Sequence, residues 1–258
     1  MATKLFDSTI FGPIHSRRLG VSLGINLLPT DGKICSFDCI YCECGYNAQG
    51  QGSNSIPARA TVKKMLRKKL KAMLEAGETL DVITFAGNGE PTVHPHFAEI
   101  VADTIAVRNE FYPNAKVSVL TNSSFLGNPK VVKALKSVDN NLLKLDSAVA
   151  RTMRVLNAPV NKEIIPEGVI IDIKQFNGDC TIQTMILRGT HNGVVVDNTT
   201  DIEIDALIGA YREIAPKEIM IYSIDRETPE KELEKVSIDE LEKIATKIRE
   251  AGFNVKVN

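Results

Sequence analysis

The 258-residue sequence has few aromatic side chains and no strong excess of charge. It contains no tryptophan, and aromatic residues make up 5% of the chain. Its 31 basic and 32 acidic side chains nearly cancel, so no strong overall field would draw it to nucleic acid or to an anionic membrane. A partner of either kind would require a local patch of charge.

Long hydrophobic runs are also missing. No apolar run approaches the roughly 18 to 20 residues of a membrane span, and the first ten residues include Asp7 and lack the apolar core of a secretory signal. We therefore expect no membrane partner and a cytoplasmic location. Globally disordered and fibrous proteins are excluded, because 43% hydrophobic and 24% charged residues are ordinary values for a globular domain.

Apolar runs that alternate with helical patterns predict βα units and a parallel sheet. The expected strands cover residues 23–28, 82–86, 117–120, 142–145, 182–187 and 219–222. With right-handed crossovers, about six βα units predict an α/β fold, an open and partial barrel of the TIM type. No linker or repeat divides the chain, so we expect one domain over residues 1–258, with residues 1–22 as an extension that packs on the barrel.

Amphipathic patterns predict helices over residues 61–76, 97–105, 204–211 and 237–252. The helical pattern over residues 161–176 is interrupted by Pro166 and Gly168, so the sequence assigns no definite element there.

Four of the five cysteines lie within ten residues, and only Cys180 stands apart. Such crowding favours a metal or cluster site in a reducing compartment over a disulfide framework. Cys35, Cys39 and Cys42 form a Cys-x3-Cys-x2-Cys array that can hold a 4Fe-4S cluster with one iron left without a cysteine. A catalyst requires an open position of this kind.

A zinc site is the alternative to a cluster at this array, although zinc is more often held by paired Cys-x2-Cys units or by distant histidines. The other two cysteines are interpreted as non-ligands. Cys44 is too close to Cys42 to ligate the same cluster easily, so we interpret it as a free thiol. Cys180 precedes an apolar strand, where a buried and inert cysteine is usual.

This three-cysteine spacing, with Tyr41 before the last cysteine, resembles the signature of the radical S-adenosylmethionine (SAM) superfamily. The resemblance implies that Cys35, Cys39 and Cys42 hold a 4Fe-4S cluster whose remaining iron is chelated by the amino and carboxylate groups of SAM. It also implies that an electron breaks the bond from the SAM sulfonium to C5′, and that the 5′-deoxyadenosyl radical removes a hydrogen atom from a substrate.

A glycine-rich turn after the second predicted strand extends the resemblance. It consists of Gly87, Asn88, Gly89, Glu90 and Pro91. Glycines permit close approach of a ligand to the backbone, and Glu90 suits an ammonium group. Radical SAM proteins carry a similar Gly-Gly-Glu-Pro segment that binds the amino group of SAM, so the resemblance implies that all five residues bind the cofactor, with Asn88 as a departure from the family form.

Polar residues at later strand ends complete the expected site. Asn122 ends the third strand, Lys144 and Asp146 end the fourth, and Gln183 interrupts the fifth. The resemblance implies that the strand-end residues contact the ribose and carboxylate of SAM, whereas Gln183 would contact cofactor or substrate. The alternatives are solvated strand ends and, for Gln183, an internal hydrogen bond.

The substrate is left open by the sequence. The chain is similar to an iron-sulfur oxidoreductase branch related to the enzymes of wyosine synthesis in tRNA, but no cysteine precedes Cys35 to hold their second cluster. A run of cations on the helix over residues 61–76 could bind RNA or simply face solvent. Peptide or protein modification, including glycyl-radical activation, is the enzymatic alternative, and an iron-sulfur electron carrier is the non-enzymatic one. The resemblance implies an electron donor such as flavodoxin or ferredoxin.

Two adjacent arginines, Arg17 and Arg18, precede the first predicted strand. Their guanidinium groups suit a carboxylate or phosphate, and surface ion pairing is the alternative.

Overall fold

The computed structural model describes residues 4–16 and 20–258. The strands are β1 (Ile10–Ser16), β2 (Gly20–Ile25), β3 (Val82–Phe85), β4 (Lys116–Thr121), β5 (Asn140–Lys144), β6 (Thr181–Met185), β7 (Leu187–His191), β8 (Val194–Asp197), β9 (Glu218–Tyr222), β10 (Leu233–Lys235) and β11 (Val255–Val257). The helices are α1 (Arg59–Glu75), α2 (Phe97–Phe111), α3 (Pro129–Leu135), α4 (Ala150–Leu156), α5 (Pro166–Lys174), α6 (Asp201–Ile214) and α7 (Ile238–Glu250). Arg17 and Arg18 lie outside the described residues.

The main sheet has eight strands in the order β1-β2-β3-β4-β5-β6-β9-β11. Every neighbouring pair from β2 to β11 is parallel, whereas β1 pairs with β2 in antiparallel fashion. Within the described part of the chain β1 and β11 are the two edges of this sheet. The sheet is therefore an open, partial barrel, and the α/β prediction is confirmed.

All six predicted strands are present. Four of them lie within two residues of the predicted bounds, and the other two are shifted or divided. Strand β2 ends at Ile25, because the Asn26 side chain accepts a hydrogen bond from the Leu28 N–H and turns the chain. The predicted strand over residues 182–187 is divided at Ile186 into β6 and β7. Strand β7 joins a separate three-stranded sheet with β8 and β10, a change of partner that a continuous apolar run does not reveal.

The interrupted pattern over residues 161–176 contains a helix. Helix α5 begins at Pro166, in the first turn, where the missing proline N–H needs no partner. Its Val169, Ile170 and Ile173 side chains are buried. The proline therefore starts this helix instead of interrupting it.

The segment before β2 contributes to the barrel wall. The Phe6 and Phe11 rings stack with their centroids 3.9 Å apart. The Phe11 ring lies against Gly24 of β2, where an added Cβ would be 2.0 Å from a ring carbon. Gly24 is therefore required by the close approach of this ring, which lies on the inner face of the sheet.

Helix α1 shows how the outer layer packs. Its apolar residues recur at three and four positions, and Val62, Leu66, Leu70 and Met73 are buried. The carboxyl ends of the parallel strands meet at one edge of the sheet, where such folds place their functional groups. No helix in the described part of the chain is both long and apolar enough to span a membrane.

Candidate active site

A cleft lies at the carboxyl ends of the parallel strands. Its volume is about 680 Å³ with the open mouth included, within the roughly 300 to 1,000 Å³ that is typical of small-molecule sites. The residues of the expected site that line it are Cys35, Cys39, Cys42, Gly87, Gly89, Glu90, Asn122, Lys144 and Gln183. The fold thus gathers most of these residues around one space.

The cysteine loop follows β2, and its thiols are not in disulfides. Asn122 Nδ2 lies 3.6 Å from Cys35 Sγ, and Asn157 Nδ2 lies 3.6 Å from Cys39 Sγ. Lys144 Nζ lies 4.0 Å from the same Cys39 sulfur. Hydrogen-bond donors directed at sulfur stabilise thiolates and tune the potential of a cluster that they hold.

Lys33 is a site residue that the sequence reasoning missed. Its side chain is only 2% exposed, and Nζ donates to the Gly45 carbonyl oxygen at 2.7 Å. The Asp38 carboxylate lies 3.4 Å away. Burial opposes the charged form, yet the negative charges of Cys42, Cys35 and Cys39 raise the pKa of Lys33 overall. The cation therefore balances thiolate charge inside the loop.

Cys44 also lines the cleft, where its sulfur is 3.5 Å from the Gly87 carbonyl oxygen. A hydrogen bond from Cys44, helped by Lys33, lowers the pKa of Cys42 to about 6. Burial raises the pKa of Cys35 to about 12.

Cys180 is completely buried in the core. No group of three or more His, Cys, Asp or Glu side chains within residues 4–16 and 20–258 is arranged to hold a single metal ion.

The glycine-rich turn packs against the cysteine loop. Glu90 N–H donates to the Ile34 carbonyl oxygen at 3.0 Å, and Ile34 N–H donates to the Asn88 carbonyl oxygen at 3.1 Å. Gly89 has a φ of 131°, and an added Cβ would be 1.9 Å from the Ile34 oxygen. Only glycine fits at this position without moving the loop.

Glu90 is 2% exposed and is hydrogen-bonded through both carboxylate oxygens. Oε1 accepts from the Thr92 and Thr121 hydroxyl groups and from Thr92 N–H, while Oε2 accepts from Asn122 N–H at 2.6 Å. Burial raises the pKa of Glu90, although these hydrogen bonds oppose the effect. Since Oε2 accepts only one of these bonds, it retains capacity for an ammonium donor.

Asn88 and Pro91 do not line the cleft. The Asn88 side chain is fully buried and forms a pair of hydrogen bonds with the Phe6 backbone, at 2.8 Å to N and 2.9 Å to O. It also donates to the Pro29 carbonyl oxygen at 2.8 Å. Pro91 begins a short 3-10 turn, Pro91–Val93. Asn88 therefore connects the N-terminal segment and the cysteine loop to the glycine-rich turn.

Lys144 and Asp146 form one network with Tyr41, but they lie at different depths. Lys144 lines the cleft and donates to Tyr41 Oη at 2.6 Å. Asp146 is 1% exposed and lies behind Tyr41, where it accepts hydrogen bonds from the Tyr41 hydroxyl and from Asn157 Nδ2. The structure thus assigns Asp146 a contact with Tyr41 in place of a position on the cleft wall.

The cation run of α1 is partly neutralised by its neighbours. Lys63 lies 2.9 Å from Asp103 of α2, and Arg67 pairs with Glu110 of the same helix. An RNA partner would have to compete with these carboxylates.

Comparisons with known proteins identify the family of the chain. The sequence family model of the radical SAM superfamily matches residues 30–208. The chain therefore belongs to that superfamily of enzymes. A UPF0026 protein of Helicobacter pylori is 30% identical over 235 residues, which cover 90% of this chain and 71% of that protein.

Two solved structures share the fold at low sequence identity. A radical SAM methyltransferase from Sphaerobacter thermophilus has a TM-score of 0.66 at 15% identity, covering 92% of this chain and 65% of that one. A structure of TYW1 with a lysine-pyruvate adduct bound has a TM-score of 0.65 at 14% identity, covering 90% and 75%. The chain therefore spans about two thirds of the methyltransferase.

Proposed function

We propose that Cys35, Cys39 and Cys42 hold a 4Fe-4S cluster, that SAM binds beside it, and that the chain uses this pair to start radical chemistry on a substrate. The observation that carries the proposal is the common cleft, where three thiols face a carboxylate and two glycines. The bound cluster would supply the electron for reductive cleavage of SAM.

The donors around the thiols support a cluster. Asn122, Asn157 and Lys144 direct N–H groups to cysteine sulfurs, and Lys33 adds a buried positive charge. A cluster with thiolate ligands is anionic, so these groups would stabilise it and favour its reduced form. These donors and this positive charge would stabilise neutral thiols much less than an anionic cluster.

The opposite wall of the cleft suits the methionine part of SAM. Glu90 Oε2 would accept a hydrogen bond from the amino group, while Gly87 and Gly89 keep side chains out of its path. Lys144 would offer its charge to a carboxylate or a ribose hydroxyl. Gln183 would lie farther along, toward the inside of the barrel.

Reductive SAM cleavage is the first test. Anaerobically reconstituted protein, given dithionite and SAM, should form methionine and 5′-deoxyadenosine. An electron carrier with the same cluster would form neither, so the absence of products with a verified cluster would refute the proposal. Flavodoxin or ferredoxin should replace dithionite as the electron donor.

The ligand assignment is tested by replacement of all three residues Cys35, Cys39 and Cys42 with Ala. The variant should lose the visible iron-sulfur absorption, whereas Cys180→Ala should keep it because Cys180 is not at the cleft. Persistence of the absorption in the triple variant would contradict the assignment, and circular dichroism checks that both variants fold.

The substrate class follows from label transfer. Deuterated cell fractions are supplied with SAM, and deuterium is followed into 5′-deoxyadenosine. Transfer from the RNA fraction would support a tRNA or nucleoside substrate, and transfer from the protein fraction would support peptide modification or glycyl-radical activation.

A further inference from the structure

A second cavity lies inside the open barrel, beside the cofactor cleft. Its volume is about 560 Å³ with its open mouth included. It extends from Phe6 and Phe11 on the N-terminal side to Leu142 and Gln183 on the far strands. Apolar side chains form most of its surface.

The polar groups of this barrel cavity are few and uncharged. None of the described residues that line it is titratable. Ser22 Oγ and Thr84 Oγ1 are hydrogen-bonded to each other at 2.9 Å. Gln183 is 5% exposed, and its Nε2 has no hydrogen-bond partner among the described residues. Buried donors are nearly always paired, so this amide is available for a ligand.

The orientation of Gln183 follows from the alternation along β6. Its neighbour Thr184 bonds to Leu145 O and Tyr211 Oη in the outer layer, and successive side chains point to opposite faces of a strand. Gln183 therefore points inward, and together with Leu120 it lines both the barrel cavity and the cofactor cleft. A molecule in the cavity would lie next to the cofactor.

The aromatic side of the cavity is hydrogen-bonded to the glycine-rich turn. Asn88 holds the Phe6 backbone through two hydrogen bonds, and Phe6 stacks on Phe11. The ring pair is thus held by a residue of the glycine-rich turn. A carboxylate or phosphate in this space would lose its water without gaining a charged partner from the described lining.

We propose that the barrel cavity binds the part of the substrate that faces the cofactor, and that this part is an uncharged, mainly apolar group with a hydrogen-bond acceptor for the Gln183 amide. The inference rests on the proposed function, because it places the substrate beside SAM. It narrows the substrate to molecules that can present such a group.

Three probes of equal ring size test the chemistry of the cavity. Ligand-observed NMR on the reconstituted protein, with and without SAM, measures binding of benzamide, toluene and benzoate. Benzamide should bind with millimolar affinity, toluene more weakly, and benzoate at least about tenfold more weakly than benzamide, since its charge is not compensated.

Gln183→Leu should weaken benzamide binding by roughly tenfold and leave toluene unchanged, because only the hydrogen bond is lost. Gln175→Leu is the matched control, since Gln175 is exposed and does not line the cavity. Leu142→Phe should weaken both probes by filling space, which keeps the proposal testable if the first variant folds poorly.

Equal benzamide binding by the protein and its Gln183→Leu variant would overturn the inference, as would benzoate binding as tight as benzamide. Loss of the Gln183 effect when SAM is present would assign the amide to the cofactor and would also overturn it. Failure of SAM cleavage refutes the proposed function instead, and it is measured separately by 5′-deoxyadenosine formation.

Discussion

The two ends of the parallel sheet differ in how far their charged side chains are exposed to water. At the carboxyl end Lys33, Glu90 and Asp146 are each at most 2% exposed. At the amino end Lys116 is exposed, and Lys256 pairs with Glu218 at 2.5 Å while its own side chain is 58% exposed. Both ends carry charged groups, but only those named at the carboxyl end are almost completely removed from water.

This difference distinguishes a candidate functional site from an ordinary solvated end of the sheet. Taking an ion out of water costs several kcal/mol unless hydrogen bonds and opposite charges compensate. At the amino end water itself compensates. At the carboxyl end protein groups do so. Lys33 and Glu90 line a cleft together with three thiols, which is the pattern expected of a cofactor site.

Replacing the buried cation should give the largest effect. Lys33→Met leaves the Gly45 carbonyl without its donor and removes the positive charge beside Asp38, and we expect a loss of about 3 kcal/mol of unfolding free energy, at the lower end for a broken buried pair. The iron content after reconstitution should fall as well. Denaturant unfolding and iron analysis measure the two effects.

Lys116→Met is the matched control at the amino end. We expect a change within about 0.5 kcal/mol, as for other exposed positions, and unchanged iron content. Equal effects of the two variants would remove the distinction between the two ends.

Glu90→Gln should weaken SAM binding. The variant keeps the shape of the side chain but removes its charge, and a hydrogen bond to a charged group contributes about 1.5–3 kcal/mol. We expect the Kd of SAM, measured by calorimetry on the reconstituted protein, to rise by roughly tenfold to a hundredfold. An unchanged Kd would show that the amino group of SAM binds elsewhere.

Gly89→Ala should cost roughly 1–3 kcal/mol of unfolding free energy, because alanine is strained at this φ and its Cβ would meet Ile34 O. Gly127→Ala is the control, since the only atom near its added Cβ is Asp172 Oδ2 at 3.9 Å. Thermal unfolding compares the two, and similar melting temperatures would contradict the close contact between the glycine-rich turn and the cysteine loop.

The smallest effect is expected at the amino end. Lys256→Met breaks the pair with Glu218, whose side chain is 15% exposed. Because the lysine side chain is 58% exposed, we expect a loss of about 1 kcal/mol, the upper end for solvent-exposed pairs. The unfolding free energy of the Lys256→Met variant should show little dependence on salt concentration. A loss above about 2 kcal/mol would mean that this end, too, depends on a specific ion pair.

Local signals in the sequence were sufficient for the strands and for the cysteine array. The six predicted strands are visible because each is a short apolar run between turns. Helix α5 has a weak sequence signal because Pro166 and Gly168 interrupt its apolar pattern, although a proline in the first turn favours a helix start.

The remaining site residues depend on contacts across the chain. Asn157 lies 118 residues from Cys39 in sequence, yet its amide is 3.6 Å from the sulfur. Lys33 is close to the cysteines in sequence, but lysine is usually exposed, so its burial carried no local signal. Asp146 was expected at the cofactor and lies behind Tyr41 instead, because strand-end position does not fix depth.

The most direct test of the central claim is whether SAM binds the iron that has no cysteine ligand. Electron-nuclear double resonance of the reduced cluster is recorded with SAM labelled at its amino nitrogen and its carboxylate oxygen. We predict hyperfine coupling from both labels. No coupling in protein with a full complement of iron, or zinc in place of iron after anaerobic preparation, would contradict it.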